Sequence, residues 1–472
     1  MTDMQPRVAA PGAPADKKST EGGISNGLSA GFAVGTTGVS VMMNTVSAYF
    51  PTFMATVLGQ SPALAGLMLT GSKLYDIVAD IVIGTASDRT KSRWGRRRPY
   101  LFAGAIVSFL SLLMIFWTPF TEGNALIIYM AVALVVHATG YSLFAVPYMA
   151  MPPEIAPSYD ARLKLMSFRT AFIAIGQGTS LALTSWLINS GGGGMEGYRT
   201  MSLVMAIIAF GAMMTCFIVT RNAPTGIATQ RTHKANWNDF KAMLTNRPLV
   251  MLMGAKLTQY LSFGIFVPCM LLFMLNVLGV GYVGQINLTI AQNLAMLCAT
   301  PIWLRIGRKI GKKNAYMIAV SLMAAECASW LITGPQVTML GIWIRGAIFG
   351  FGSCGSMLMS SSMLPDAMEY DRLRTGLRRE GVFASLYAIV EKSGWAIGAA
   401  FTGLFLAASG YISTSHGNLV TQPEDVTWAL YLCVGVLPAL LFSAGLLLIS
   451  GYKLDPGMLE EERQKAVAKG LI

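Results

Sequence analysis

Apolar residues fill the chain in twelve long runs, near 25–57, 62–86, 99–118, 124–150, 164–189 and 199–220, then 248–275, 284–304, 314–332, 336–362, 381–408 and 428–450. A helix rises 1.5 Å per residue, so a run of about 20 residues crosses the ~30 Å hydrocarbon layer of a bilayer. Each run is therefore predicted to be a spanning helix, and the expected fold class is an all-α membrane protein with twelve transmembrane helices in two six-helix halves. The first run is weakly bounded, because Gly31, Gly35 and Gly38 interrupt it. Polar stretches then divide the chain into a flexible tail (1–23), a first half (24–220), a linker (221–247), a second half (248–450) and a second tail (451–472). In that last tail Glu460, Glu461 and Glu462 precede Lys465 and Lys469, a pattern that predicts a short amphipathic helix.

The two halves repeat each other. A basic loop follows the second run of each (SDRTKSRWGRRRP and RIGRKIGKK), and an acidic-then-basic loop follows the fourth (PPEIAPSYDARLK and LPDAMEYDRLRTGLRRE). The alternate loops, 119–124, 190–198, 276–283, 333–335 and 409–427, are expected to lie on the far side. Positive loops stay on the cytoplasmic side, which orients both termini there. Two repeated halves joined by a polar linker are the layout of a rocking secondary transporter with its site between them.

Composition agrees with that layout. The 472 residues are 54% hydrophobic and 12% charged, against about 25% charged in a soluble domain, so a soluble enzyme is excluded. The net charge of +12 sits in loops and tails, so it reads as membrane topology and not as nucleic-acid binding. The six cysteines lie inside apolar runs without metal or disulfide spacing, and read as small core residues. There is no GxxxxGK[ST] phosphate loop, no cofactor motif, and no nucleophile–base–orienter set, so neither ATP-driven transport nor catalysis is expected. Residues 1–23 lack the apolar core of a cleaved signal peptide.

The densest chemistry lies in KLYDIVADIVIGTASDRTKSRWGRRRP, residues 73–99. Asp76 and Asp80 stand four apart, on one helix face, at a depth where a lone carboxylate costs about 2.5–3.5 kcal/mol. Such a pair forms part of an oxygen set for a hard cation such as Na⁺, or shares a proton. The alternative is structural: Lys73 neutralises Asp76, and Asp80 caps a kink.

These residues resemble the glycoside-pentoside-hexuronide:cation symporters, a branch of the major facilitator superfamily that includes the melibiose permease. The resemblance rests on KLYDIVAD, SDRTKSRWGRRRP, VPYMAMPPEIAPSYDAR (146–162) and LPDAMEYDRLRTGLRREG (364–381), which are spread over both halves. It implies a monomeric carrier of the major facilitator fold in the bacterial inner membrane, with a glycoside as substrate and Na⁺ or H⁺ as coupling ion. It places Asp76, Asp80 and Ser142 at the cation site, Arg169 near the sugar, and Lys392 facing the cavity between the halves. The family's sugar-reading acids are replaced here by Ser40 and Ala145, and a following tryptophan by Met149. A cavity with Arg169 and Lys392 but no acid at those positions suits an anionic glycoside. A carrier of a lipid-like or drug-like solute on the same fold is the alternative.

Gln177 is expected to contact substrate, and of the aromatic residues Tyr49, Tyr141, Tyr148, Phe172, Tyr387 and Trp395, those lining the cavity are expected to stack on it, Tyr148 and Trp395 among them. Asp88 with Arg89, Arg93, Arg96, Arg97 and Arg98, and Asp366, Glu369 and Asp371 with Arg378 and Arg379, are expected to form a cytoplasmic gate of ion pairs, beyond their role in topology. Glu326 and Arg345 read as a structural pair between helices, His137 as a hydrogen-bonded core residue, and Lys256 as ambiguous.

Overall fold

The computed structural model describes residues 24–156, 159–221, 223, 245–377, 379–454 and 456–468, so the 1–23 tail, nearly all of the linker and Arg378 fall outside the described residues. Among the described residues twelve long helices follow in chain order. In the first half they are α1 (Asn26–Thr56), α2 (Pro62–Arg89), α3 (Arg98–Phe116), α4 (Gly123–Ala150), α5 (Tyr159–Gly178, a π-helical turn Thr179–Leu183, then Thr184–Ser190) and α6 (Met195–Thr220). The second half holds α7 (Arg247–Asn276), α8 (Gly281–Ile310), α9 (Lys312–Ser329), α10 (Met339–Thr375), α11 (Glu380–Ala408) and α12 (Glu424–Tyr431, a π-helical turn Leu432–Val436, then Leu437–Ser450). A short α13 (Pro456–Ala468) follows.

Local chemistry sets the helix ends. Ser25, Ser61, Asn246 and Thr338 cap α1, α2, α7 and α10 by accepting a backbone N–H three residues on, at 3.1–3.3 Å. Pro62 and Pro248, in the first turns of α2 and α7, lack an N–H exactly where none has a helical partner. Gly376 ends α10 with φ 69°, the left-handed conformation that glycine adopts at no steric cost.

Packing within the halves is the same. In the first half α1 packs on α5 and α6, α3 on α4 and α6, and α2 on α4. The second half pairs α7 with α11 and α12, α9 with α10 and α12, and α8 with α10. The halves meet through α2 on α11, α5 on α8, and α1 on α7. Eight helices are apolar enough to cross a membrane by composition alone. The four that fall short, α1, α2, α8 and α11, all belong to those contacts between halves, where polar side chains find partners other than lipid. At the α2–α11 crossing a Cβ on Gly66 would lie 2.5 Å from the Ala399 carbonyl, and one on Gly403 2.4 Å from that of Pro62. Only glycine permits this approach.

The bonds joining the halves run from mid-helix toward the end opposite the basic loops. Thr70 donates to the Ala396 carbonyl at 2.8 Å, and the Tyr198 and Tyr282 hydroxyls stand 3.3 Å apart. Beyond them the loop after α11 pairs with the α1–α2 turn. Thr414, His416 and Gly417 donate their N–H groups to the carbonyls of Ala55, Val57 and Thr56 at 2.8–3.0 Å, and Leu58 and Ser415 form an antiparallel bridge. This end of the bundle is closed.

Three sequence expectations change. The LPDAMEYDRLRT segment is not a loop: α10 runs through Pro365 to Thr375, so Asp366, Glu369 and Asp371 stand on a helix projecting past the apolar run. Leu, Met, Glu and Arg carry the helix past Pro365 to Gly376, and charge there marks exit from the bilayer rather than an end of the helix. Asp80 caps no kink, since it lies inside α2, which has no internal proline. Of the cysteines Cys298 is exposed on α8, while the other five are buried.

Candidate functional site

Asp76 and Asp80 project from α2 toward α4 and α11. Ser142 of α4, fully buried, stands with its hydroxyl oxygen 2.6 Å from Asp76 Oδ1 and 2.7 Å from Asp80 Oδ1. Lys392 of α11 donates to Asp76 Oδ2 at 2.7 Å and to Asp80 Oδ2. Four residues from three helices and both halves thus meet in one group. Lys73 does not pair with Asp76; its ammonium lies 6.0 Å from the Tyr141 ring centre. Lys392 has taken its place because α2 and α11 cross at their glycines and bring the two chains of charge face to face.

The hydroxyl geometry carries chemical information. A serine has one proton to donate, yet Oγ faces two carboxylate oxygens at bonding distance. The second contact is favourable only when one carboxyl carries a proton or a cation enters among the three oxygens.

Arg169 of α5 has its Nε buried without a hydrogen-bond partner. Tyr148 is 1% exposed; its hydroxyl is 2.6 Å from Thr36 Oγ1 and 3.1 Å from the Phe32 carbonyl, and its ring stacks on Phe32. It is therefore packed between α1 and α4 instead of lining a cavity. Tyr49 is likewise buried, donating at 2.5 Å to the Leu181 carbonyl in the π-helical turn of α5. Ser40 faces Gly176, where an added Cβ would approach it to 2.7 Å, which seats it beside Gln177. Trp395, one turn beyond Lys392, packs on Phe263 with ring centres 6.3 Å apart.

The basic loop after α2 is organised by a residue that sequence reasoning missed. Glu154, after α4, pairs with Arg96 and lies 3.4 Å from Arg97, which also meets Asp88 at 3.4 Å. Burial pulls the Arg97 guanidinium below the usual arginine value, and the nearby Glu154 and Asp88 carboxylates oppose that fall. Arg98 donates to the carbonyls of Trp94 and Ala223, while Arg89 and Arg93 are exposed. In the second half Asp366 pairs with Lys312 at 2.6 Å, Glu369 with Arg463 of α13 at 2.7 Å, and Asp371 stands 3.9 Å from Arg379. Each of these pairs stays within its own half; Arg378 lies outside the described residues. Glu326 and Arg345 are joined through Trp330, whose indole N–H donates to Glu326 at 2.7 Å while Arg345 lies 4.9 Å above its ring. His137 stands 3.3 Å from the buried Ser111 hydroxyl, as a core histidine does.

Residues 31–456 match the family model described as MFS/sugar transport protein. The chain belongs to that family of transporters. It is 28% identical over 387 residues to the glucuronide carrier protein homolog of Escherichia coli strain K12, covering 78% of this chain and 80% of the relative. It is 25% identical to the isoprimeverose transporter of Lactiplantibacillus pentosus, covering 89% and 88%. With the sodium-dependent lysophosphatidylcholine symporter 1 of Xenopus tropicalis it shares 21%, covering 98% and 92%. Among solved structures, a bacterial homolog of the human lysosomal transporter Spinster, inward-facing and unoccupied, matches with TM-score 0.64 at 13% identity, covering 93% of this chain and 97% of that one. The twelve-helix fold of the major facilitator superfamily and a multi-pass membrane location follow.

Proposed function

We propose that this transporter couples the movement of a cation, Na⁺ or H⁺, to symport of a glycoside by alternating access in a bacterial inner membrane. The observation that carries the reading is Lys392 of the second half lodged between Asp76 and Asp80 of the first. A cation bound by the two carboxylates and Ser142 competes with Lys392 for the same oxygens. Its arrival frees the ammonium and loosens the mid-membrane tie between the halves. Substrate affinity and cation affinity then rise together by the same factor, as linkage requires.

Both termini are cytoplasmic in this reading, by the basic loops. The closed end is the outer one, and the conformation faces inward. Arg169, and Gln177 beside Ser40, form the substrate wall of the first half; Trp395 supplies a ring from the second. Arg169 has no acid at hydrogen-bonding distance among the described residues, which favours a substrate bearing a negative charge, and the glucuronide carrier homolog among the relatives supports that class.

The test is uptake in vesicles of neutral and anionic radiolabelled glycosides, under a Na⁺ gradient and then a proton gradient. Gradient-driven accumulation abolished by Asp80→Asn is the expected result. Failure of every glycoside in vesicles that hold folded protein shifts the reading to an amphipathic solute, which the lysophosphatidylcholine relative, Ala145 and the exposed Met149 favour.

A further inference from the structure

A second buried polar cluster lies inside the second half, behind Lys392. Lys256 of α7 is 3% exposed. Its ammonium donates to Gln259 Oε1 at 2.7 Å and Ser360 Oγ at 3.3 Å, and lies 4.9 Å from the Tyr260 ring centre. Gln259 donates to Ser356 Oγ at 2.8 Å and accepts from the Tyr316 hydroxyl at 3.4 Å. Every one of these partners is neutral. A buried ammonium so placed depends on a carboxylate in its field.

Glu391 supplies that field. It stands on α11 one turn past Tyr387, whose hydroxyl is 2.9 Å from that of Tyr260. Next to Lys392 in the chain, and one turn from the Tyr387–Tyr260 hydroxyl pair, whose Tyr260 ring Lys256 faces, its carboxylate stands in the field of both lysines. Consecutive helical residues point about 100° apart, so Glu391 acts on Lys392 through space and not as a hydrogen-bonded partner.

The charges form one series across the interface: Lys256, Glu391, Lys392, Asp76 with Asp80, then Lys73. Fully ionised, the second half carries two cations and one anion, net +1, and the first half one cation and two anions, net −1. The halves attract, and a cation bound at Asp76 and Asp80 cancels the negative side.

We propose that Lys256 and Glu391 are positioning residues that set, from within the second half, how firmly Lys392 holds Asp76 and Asp80, and thereby the cation affinity. This inference rests on the cation reading above. Removing the Glu391 charge leaves Lys392 drawn only to the aspartates, so the cation competes less well. Removing the Lys256 charge leaves Glu391 unbalanced and draws Lys392 back, so the cation competes better.

The experiment uses full-length protein in nanodiscs, with thermal stability followed against graded NaCl at ionic strength held by choline chloride, and in choline alone against graded pH. The readout is the ligand concentration at half-maximal stabilisation. Glu391→Gln is expected to demand about tenfold more cation, Lys256→Gln about tenfold less, and the double variant to return within about twofold of the unaltered protein. Lys256→Arg keeps the charge and is expected to keep the midpoint; where Lys256→Gln does not fold, Lys256→Met removes the same charge at similar length and is expected to shift the midpoint the same way. A response surviving Asp80→Asn, or no response to either ion in the unaltered protein, overturns the cation reading and this inference with it. A response lost in Asp80→Asn while the Lys256 and Glu391 variants leave the midpoint in place, or move it the same way, overturns this inference alone.

Discussion

Ser142 offers one hydroxyl proton to two carboxylate oxygens, at 2.6 and 2.7 Å, and that mismatch makes it the most informative single residue of the site. Ser142→Ala removes one neutral oxygen and leaves both charges. It is expected to raise the half-saturating cation concentration of uptake about tenfold, ~1.4 kcal/mol, while accumulation at saturating cation persists. Asp80→Asn removes a charge and is expected to abolish accumulation altogether. A cation titration of vesicle uptake in which Ser142→Ala matches the unaltered protein would show that Ser142 does not touch the ion. At this scale the sequence is legible where a charge breaks an apolar run, which is why Asp76, Asp80 and Lys392 stand out. It is silent on pairing. Spacing alone offers Lys73, three residues from Asp76, as its partner in the structural alternative, whereas Lys392, which only the family resemblance brings toward the cavity, occupies that place. Nothing in local spacing links Glu391 to Lys256 either.

Among elements, the basic loop between α2 and α3 shows how a topological signal also becomes a structural joint. Glu154 is the carboxylate that holds Arg96 and Arg97, and Arg97 is 9% exposed with Nε and Nη1 unpartnered. Glu154→Gln therefore leaves two guanidinium groups, one of them buried, with only Asp88 nearby. A loss of about 1–3 kcal/mol is expected, read as a lower thermal midpoint in detergent, whereas Arg93→Ala at an exposed position should stay within about 0.5 kcal/mol. Matching midpoints for the two variants would mean that the joint carries no stability. The loop's basic character was readable from composition, but its partner was not, since Glu154 lies more than 50 residues away in a segment whose own Arg162 and Lys164 offer it nearer cations. The same limit explains α10: charge after Met363 looked like a loop, and only the left-handed Gly376 ends the helix. Among the described residues, the side chains expected to form a gate make pairs inside each half only.

For the whole molecule, twelve helices and the twofold repeat follow from hydrophobic periodicity and the recurring basic loops, because a bilayer imposes span length and charge asymmetry on any such chain. The closure opposite those loops does not, since it is made largely of backbone hydrogen bonds, which leave no side-chain signature. The loop from Ser413 to Gly417 grips the α1–α2 turn through three N–H···O=C bonds, an antiparallel Leu58–Ser415 bridge, and Ser413 Oγ on the Gln60 carbonyl at 2.8 Å. Alternating access requires this grip to open in every cycle. Paired residues of an antiparallel bridge have Cα atoms about 4.5–5.5 Å apart, inside the range a disulfide spans. Leu58→Cys with Ser415→Cys, in a background where the exposed Cys298 is replaced by serine, is therefore expected to cross-link under mild oxidation. Uptake should fall by at least tenfold on oxidation and return on reduction, with each single variant unaffected. Transport that continues at full rate in fully cross-linked protein would mean that the halves do not part at this end, and rocking about the Lys392 level could not be how the substrate crosses.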